Sequence, residues 1–206
     1  MKSLVFAFGF LLVASGLSLA VAPVALAQSG QVMALPAPDK AGGILLYEAF
    51  NKRRSHREFV ATELSLDQLS QILWSAFGVN REAGKLRTIP TSHNRQRLTV
   101  YAVLSSGVWR YDGERHQLEL QLSGDHTDLF GEAPLTLVYI VPTADGPVGG
   151  IHVGLAAQDV GLTCASLELG NVLKTTGADS LNPILPLPSG LRVLAVHSIG
   201  LPAGKL

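Results

Sequence analysis

The feature that most constrains the fold is the apolar, β-branched segment at residues 135–141. An apolar run of this length without alternation is typical of a central strand that is covered on both faces. A second apolar segment, residues 151–169, is long enough for a helix rather than a strand. Together the two segments predict a sheet with a buried central strand and a helix of the same core.

Helical and strand patterns alternate through the rest of the chain. Residues 65–68 have the capping-box pattern Ser-x-x-Gln, and apolar residues at helical spacing predict a helix over residues 65–77. Gly78 ends that helix. Residues 98–105 and 191–199 are rich in β-formers and predict strands.

Two further elements complete the predicted fold. Residues 43–52 predict a short helix with Ile44, Tyr47 and Phe50 turned inward. Asp112-Gly113 separates two strand patterns and predicts a hairpin on a type I′ turn. The fold class is therefore α+β, with a mixed, mainly antiparallel central sheet flanked by helices.

The N-terminal residues have the pattern of an export signal. Lys2 precedes an apolar stretch at residues 4–22, and residues 25–27 form an A-x-A cleavage pattern. The alternative is a retained membrane anchor, because the stretch is close to the length that spans a bilayer. The cleavage pattern and the helix-breaking Pro23 favour a signal peptide over residues 1–27.

After cleavage we expect a periplasmic or secreted protein with no stable membrane anchor. Residues 28–42 are rich in Gly, Pro and Ala and predict a flexible leader. Residues 43–206 are long enough for one domain with a sizeable core.

Composition excludes some classes of partner and bond. The formal net charge is +0 and charged residues make up 16% of the chain, so a nucleic-acid partner has no electrostatic support. The single cysteine, Cys164, excludes an intrachain disulfide. It lies within an apolar helical pattern, and we expect a buried, inert thiol. No His or Cys spacing typical of a metal site is present, and we expect none.

A basic cluster, Arg53-Arg54-Ser55-His56-Arg57, ends the first predicted helix. Guanidinium groups match phosphate oxygens in geometry, and a hydroxyl adds a short hydrogen bond. If these side chains converge, they form a site for a phosphate monoester. A solvated basic turn is the alternative, since short basic clusters are common.

A second polar segment, residues 87–96, joins the predicted helix 65–77 to the strand 98–105. It combines hydroxyl and carboxamide side chains, and Asn or Gln can both donate to a carbonyl and accept from an N–H of an imide-like edge. The alternative is a polar loop in which Ser92 or Asn94 caps the next turn. No neighbouring residue marks His93 as an acid or base.

The ordered set of segments resembles the nitroreductase family of FMN-dependent oxidoreductases, and within it the compact branch related to SagB-type oxidases. The resemblance covers nearly all of residues 43–206. The segments that carry it are Arg53-Arg54-Ser55-x-Arg57-x-Phe59, residues 73–81, Arg87-Thr88-x-Pro90, Asn94-x-Gln96, and residues 107–112, 133–135, 158–162 and 200–205.

This resemblance implies a three-layer α+β homodimer with two FMN molecules in the subunit interface. It implies that Arg53, Ser55 and Arg57, with Arg54 in the same cluster, hold the FMN phosphate and ribityl chain. Further positions follow from the same resemblance. Lys205 would close on the phosphate, Asn94, Gln96 and Ser92 would face the isoalloxazine, and the backbone of Thr176 and Gly177 would approach flavin N5 and O4.

The implied activity is ping-pong transfer of hydride or electrons from a small-molecule donor to an electron-poor acceptor, such as a nitro compound or quinone. The flavin supplies the chemistry, so no side-chain acid or base is required. Outside the cytosol a quinol, a cytochrome or a small reduced carrier is a more consistent donor than NAD(P)H.

Two other hypotheses stay open at this point. One is a non-catalytic periplasmic module that binds a flavin or another small molecule on the same scaffold. The other is a domain without flavin, in which Arg53, Arg54 and Arg57 pair with surface carboxylates.

Overall fold

The structure is a computed structural model that describes residues 30–131 and 133–204. The predicted signal peptide, residues 1–27, lies outside the described residues, as does Lys205. No helix within the described residues is long and apolar enough to cross a membrane.

Antiparallel strands dominate the described fold. The strands are β1 (Val32–Ala34), β2 (Val79–Arg81), β3 (Leu86–Arg87), β4 (Thr99–Leu104), β5 (Gly107–Asp112), β6 (Gln117–Ser123), β7 (Leu135–Pro142), β8 (Gly170–Lys174) and β9 (Leu191–Gly200). The helices are α1 (Leu46–Lys52), α2 (Leu66–Phe77) and α3 (Gly146–Ser166).

Seven of these strands form one sheet in the order β1-β6-β5-β4-β7-β9-β8. Every neighbouring pair in that sheet is antiparallel. The parallel pairing found in the described residues is an isolated bridge between Ser55 and Asn171. The α+β class with a mainly antiparallel sheet is therefore confirmed.

β7 is the central strand, as its apolar sequence predicts. Its side chains are buried from Leu135 to Val141, and β4 and β9 pair with it on either side. One face of the sheet packs against α2 and α3 in a core that includes Ile72, Leu73 and Val160. The other face packs against residues 178–185 in a second core. The sheet is thus the middle of three layers.

α2 begins where its capping box predicts. The Ser65 hydroxyl accepts a hydrogen bond from the Gln68 N–H (3.2 Å), and the Gln68 side chain accepts one from the Ser65 N–H (2.9 Å). These reciprocal bonds satisfy two donors that the start of a helix leaves free. The helix ends at Phe77, before Gly78.

The prediction of a flexible leader over residues 28–42 is wrong for its middle part. Val32–Ala34 form β1 and pair with the edge of β6. The Leu120 N–H also donates to the Gln31 carbonyl at 3.0 Å, and Met33 packs against the main core. An open strand edge offers unpaired N–H and C=O groups. That edge orders a segment whose composition alone predicts disorder.

Two helix predictions differ from the structure in extent or orientation. α3 begins at Gly146 rather than at residue 151, because Pro147 is compatible with the first turn of a helix. α1 buries Ala49, whereas Tyr47 is 80% and Phe50 47% exposed. The inward orientation predicted for Tyr47 and Phe50 is therefore wrong within one chain.

The hairpin between β5 and β6 has a longer loop than the predicted two-residue turn. β5 ends at Asp112 and β6 begins at Gln117. The Asp112 carboxylate accepts hydrogen bonds from the N–H groups of Glu114 (2.9 Å) and Arg115 (3.1 Å). A side chain that accepts from the backbone two and three residues later organises this loop in place of a type I′ turn.

Candidate functional site

The basic cluster lies between the end of α1 and the beginning of β8. Arg53 caps α1, and its N–H donates to the Ala49 carbonyl at 2.9 Å. The chain then becomes extended, with Ser55 bridged to Asn171 and the His56 N–H donating to the Asn171 carbonyl at 2.8 Å. These backbone bonds attach the basic turn to the sheet.

A cavity of about 160 Å³ lies beside this turn. The Arg53 stem crosses α3 at Gly161, where a Cβ would come within 3.3 Å of Arg53 Cδ. A side chain at position 161 would require the Arg53 stem to move by a few tenths of an ångström. The lining residues come from the basic turn, the end of α3 and the start of β8: Lys52, Arg53, Arg54, His56, Ala165, Glu168, Leu169 and Asn171.

The extended backbone divides the basic cluster between two sides. Arg54 and His56 line the cavity, whereas Ser55 and Arg57, which alternate with them, do not. The structure thus brings Arg53 and Arg54 together at the cavity.

The three guanidiniums are free of carboxylate partners in the described part of the chain. No Asp or Glu oxygen there lies within 4.0 Å of Arg53, Arg54 or Arg57. The hypothesis that these arginines only pair with surface carboxylates therefore finds no support among the described residues.

His56 is a member of this site that the sequence alone did not single out. Both of its ring nitrogens are buried and have no hydrogen-bond partner among the described residues. A Cβ at Gly170 would lie 2.9 Å from His56 Cβ, so the imidazole packs directly on a glycine. Burial, and then the positive charge of Arg54, lower the pKa of His56. A buried polar ring without partners is costly unless a ligand completes it.

A buried hydrogen-bonded chain leads from the core to the cavity. The Tyr139 hydroxyl lies 3.1 Å from His197 Nδ1, and His197 Nε2 lies 3.0 Å from Asn171 Oδ1. All three residues are buried. Burial lowers the pKa of His197 to about 3, so the ring is neutral near pH 7. No sequence pattern marks this chain, because its members come from three different strands.

The second predicted segment lies near the beginning of α3. The Ser92 N–H donates to Nε2 of the buried His152 at 2.9 Å. His93, Asn94 and Gln96 have φ angles of 50°, 51° and 50°, in the left-handed region that few non-glycine residues adopt. This strain is concentrated in one loop, as is common at functional sites.

Gln96 is used within its own loop. Its carbonyl oxygen accepts from Arg87 Nε at 2.9 Å, and its amide nitrogen donates to Asn94 Oδ1 (3.0 Å) and to the Lys85 carbonyl (3.1 Å). These bonds fasten the loop to the β2–β3 hairpin. That Ser92, Asn94 and Gln96 face a ring stays a prediction.

The third predicted segment follows β8. Gly177 has a φ of 76° and precedes a short helical turn, and Thr176 comes directly before it. Both residues are exposed and lie beyond the end of β8 that is opposite to Asn171. The predicted site residues thus occupy three separate places along one chain.

The distance between two of these places can be measured along α3. Arg53 contacts the helix at Gly161, and Ser92 contacts it at His152. At 1.5 Å per residue these contacts are about 13 Å apart along the helix axis. At about 3.6 residues per turn, nine residues also place the two contacts on opposite sides of the helix, so the basic turn and the polar loop of one chain do not form one compact pocket.

Two further observations concern the reactive groups of α3. Cys164 is buried, as predicted, and burial raises the pKa of its thiol. Burial also raises the pKa of the Asp159 carboxyl to about 6. Within the described ranges, no group of three or more His, Cys, Asp and Glu side chains is arranged to hold a metal ion.

The raised pKa of Asp159 predicts a pH-dependent gain in stability for Asp159→Asn. The folded protein holds this proton more tightly than the unfolded chain, so its stabilising effect is full below about pH 4 and is lost as pH rises through about 6. We expect a higher melting temperature than the wild type at pH 8 and no gain at pH 4. Thermal unfolding at both pH values measures this, with the exposed Asp128→Asn as control. An equal change at both pH values would contradict it.

Comparison with known proteins identifies one family. The nitroreductase family model matches residues 51–201. A protein of Methanocaldococcus jannaschii, provisionally named a nitroreductase, is 32% identical over an alignment of 168 residues, and the match covers 69% of this chain and 84% of that protein. A Ralstonia eutropha JMP134 crystal structure, also provisionally named a nitroreductase, is 32% identical and has a TM-score of 0.79. The match covers 87% of this chain and 93% of the Ralstonia chain.

A more distant structure shares the fold. The FMN-dependent nitroreductase of Clostridium difficile R20291 is 20% identical, with a TM-score of 0.55, and the match covers 78% of this chain and 89% of that one. At this identity the likeness concerns the fold alone. The family model, in contrast, spans the elements from the end of α1 to the end of β9. The chain therefore belongs to the nitroreductase family.

Proposed function

We propose that this chain is an FMN-dependent oxidoreductase that transfers electrons between small molecules. The observation that carries the proposal is the cationic cavity at the basic turn. There, guanidiniums without carboxylate partners in the described residues adjoin a buried imidazole whose nitrogens also lack partners there. A phosphate monoester fits these groups, because it offers negative charge and several acceptor oxygens.

Each residue of the turn would have a distinct role toward FMN. Arg53 and Arg54 would neutralise the phosphate, and His56 would pack beside it as part of the cavity lining. Ser55 and Arg57, on the other side of the extended segment, would contact the ribityl chain. Lys205, outside the described residues, is proposed to close on the phosphate, as in the family.

The ring of FMN would lie in the interface between two copies of the chain, against a polar loop. Ser92, Asn94 and Gln96 are proposed to contact the isoalloxazine, as is the backbone at Thr176 and Gly177. Bound FMN would supply the two-electron chemistry. The residues of this chain would orient it and the small molecules that bind over it in turn: a reduced donor, then an electron-poor acceptor such as a nitro compound or quinone.

We propose that two copies of the chain together complete the site. The basic turn and the polar loop are about 13 Å apart along α3, so a partner could bring its polar loop to the basic turn. Exposed apolar side chains on α1 and α3 suit such an interface. They are Leu45, Leu46, Tyr47 and Phe50 around α1, and Val148, Ile151 and Leu155 on α3.

The proposed export has its own test. The sequence features that support it are the apolar stretch at residues 4–22 and the A-x-A pattern at residues 25–27. The periplasm offers little NAD(P)H, so a quinol, a cytochrome or a small reduced carrier is proposed as donor. N-terminal sequencing of the protein made in a Gram-negative host is expected to begin at Gln28. An intact Met1 would contradict cleavage.

Arg53→Ala is expected to weaken FMN binding about 10- to 100-fold, because a charge-assisted hydrogen bond contributes about 1.5–3 kcal/mol. Fluorescence titration of the mature protein with FMN measures the dissociation constant. Arg115→Ala is the matched control, since Arg115 pairs with Asp112 at 3.2 Å in the β5–β6 loop. A wild-type protein that binds no FMN would overturn the proposed function.

Turnover separates an enzyme from a binding module. We expect the FMN-loaded wild type to reduce a nitroaromatic compound or a quinone with a quinol-type donor over many cycles. Flavin that stays bound while neither donor nor acceptor reacts would favour the non-catalytic alternative. Rapid reduction of the loaded protein by NADPH would count against the proposed donor class.

Leu46→Glu is expected to convert the proposed dimer to a monomer, because it puts a charge into an apolar interface. Light scattering coupled to size-exclusion chromatography measures the mass. Leu129→Glu is the control, since Leu129 is an exposed leucine outside α1 and α3. A monomeric wild type would overturn the dimer proposal and leave FMN binding to be judged by titration.

A further inference from the structure

We propose that Asn171 is a ligand of the phosphate held at the basic turn, and that the buried Tyr139–His197 pair positions its amide. The inference rests on the proposed function, because it concerns the same cavity. It adds an uncharged, directional donor to the arginines.

Asn171 occupies the point where the basic turn joins the sheet. Asn171 is one of the residues that line the cavity, together with Arg53 and Arg54. Its carbonyl accepts the His56 N–H at 2.8 Å. A Cβ built on Gly161 would lie 3.3 Å from Arg53 Cδ and 3.6 Å from Asn171 Oδ1, so both side chains border the same glycine. The amide therefore lies next to the arginine stem.

The hydrogen bonds of His197 determine which end of the amide remains available. Asn171 Oδ1 is an acceptor, so His197 Nε2, at 3.0 Å, must carry the ring proton. Nδ1 is then an acceptor for the Tyr139 O–H, at 3.1 Å. A neutral imidazole has one donor and one acceptor nitrogen, and in His197 both form hydrogen bonds.

The amide nitrogen of Asn171 takes no part in the hydrogen bonds that join Tyr139, His197 and Asn171. Oδ1 is engaged with His197, and Nδ2 takes part in none of the hydrogen bonds among the described residues. Nδ2 is also not one of the fully buried side-chain atoms that lack a partner, whereas both ring nitrogens of His56 are. An N–H donor held in this way can bind a phosphate oxygen and add direction to the charge of Arg53 and Arg54.

The hydrogen bonds of Tyr139 and His197 support a positioning role for these two residues. A buried network orders its members when each donor and acceptor is satisfied. Here the contact between His197 Nε2 and Asn171 Oδ1 leaves the amino end of the amide available, and Tyr139 bonds the other ring nitrogen of His197. Without them the carbonyl and amino ends of Asn171 could exchange, and the carbonyl would repel a phosphate.

Asn171→Asp tests the donor directly. The aspartate keeps an acceptor for His197 Nε2 but replaces the amide donor by a negative oxygen. We expect the dissociation constant of FMN to rise at least about 10-fold, because a hydrogen bond to a charged group is lost. Riboflavin lacks the phosphate, and its dissociation constant should stay within about twofold. Asn80→Asp is the matched control, because Asn80 is exposed on β2, outside the cavity.

Tyr139→Phe tests the positioning role. It removes the hydroxyl that bonds His197 Nδ1 and leaves Asn171 in place. We expect the preference for FMN over riboflavin to fall several-fold, less than in Asn171→Asp. Two results would overturn the inference: an Asn171→Asp protein with wild-type FMN affinity, or one that loses FMN and riboflavin equally.

A second measurement uses the wild type alone, so it does not depend on the folding of a variant. Inorganic phosphate is titrated while the NMR signals of the Asn171 side-chain amide are followed. A saturable shift supports the inference even if no flavin binds, in which case only the proposed function fails. Unmoved amide signals at saturating phosphate, in a protein that binds no FMN, overturn both.

Discussion

The attachment of the basic turn to the first residues of β8 is the interaction on which the site depends. The bridge between Ser55 and Asn171 and the bond from the His56 N–H to the Asn171 carbonyl hold an exposed, charged segment against the sheet. Three arginine side chains close in sequence repel one another. Backbone bonds to β8 hold the turn in place without using the arginine side chains, which have no carboxylate partner among the described residues.

α3 links this attachment to the rest of the molecule. The helix packs between the sheet, α1 and α2, and its buried face includes Val153, Ala156 and Val160. Small residues near its C-terminal half, Gly161 and Ala165, allow the basic turn to approach closely. Its first half receives the polar loop through His152. One rigid element therefore sets the separation between the two ends of the proposed flavin site.

The parts of the fold that sequence could predict are those determined locally. The capping box and periodicity of α2 are contained within twelve helical residues and their cap, and the apolar run of β7 identifies a buried strand without reference to its neighbours. β1 could not be predicted, because its order depends on the open edge of β6. The exposed Tyr47 shows the same limit, since periodicity reports an apolar face but not the surface that covers it.

The candidate site likewise has residues that the sequence could predict and residues that it could not. Arg53 and Arg54 could be proposed from their chemistry alone, because guanidiniums are specific enough to suggest a phosphate. His56, Asn171 and the Tyr139–His197 pair could not, since only the folded chain brings His56 and Asn171 to one cavity and places the pair behind Asn171. The separation of the basic turn from the polar loop also depends on the packing of α3, which no local pattern reveals.

A crystal structure of the mature protein grown with FMN would test the central claim most directly. We expect the FMN phosphate in the cavity beside the basic turn, within hydrogen-bond distance of the Arg53 and Arg54 guanidiniums, with the ring in the interface between two copies of the chain. A phosphate bound at any other place on the chain, or crystals without flavin at saturating FMN, would contradict it.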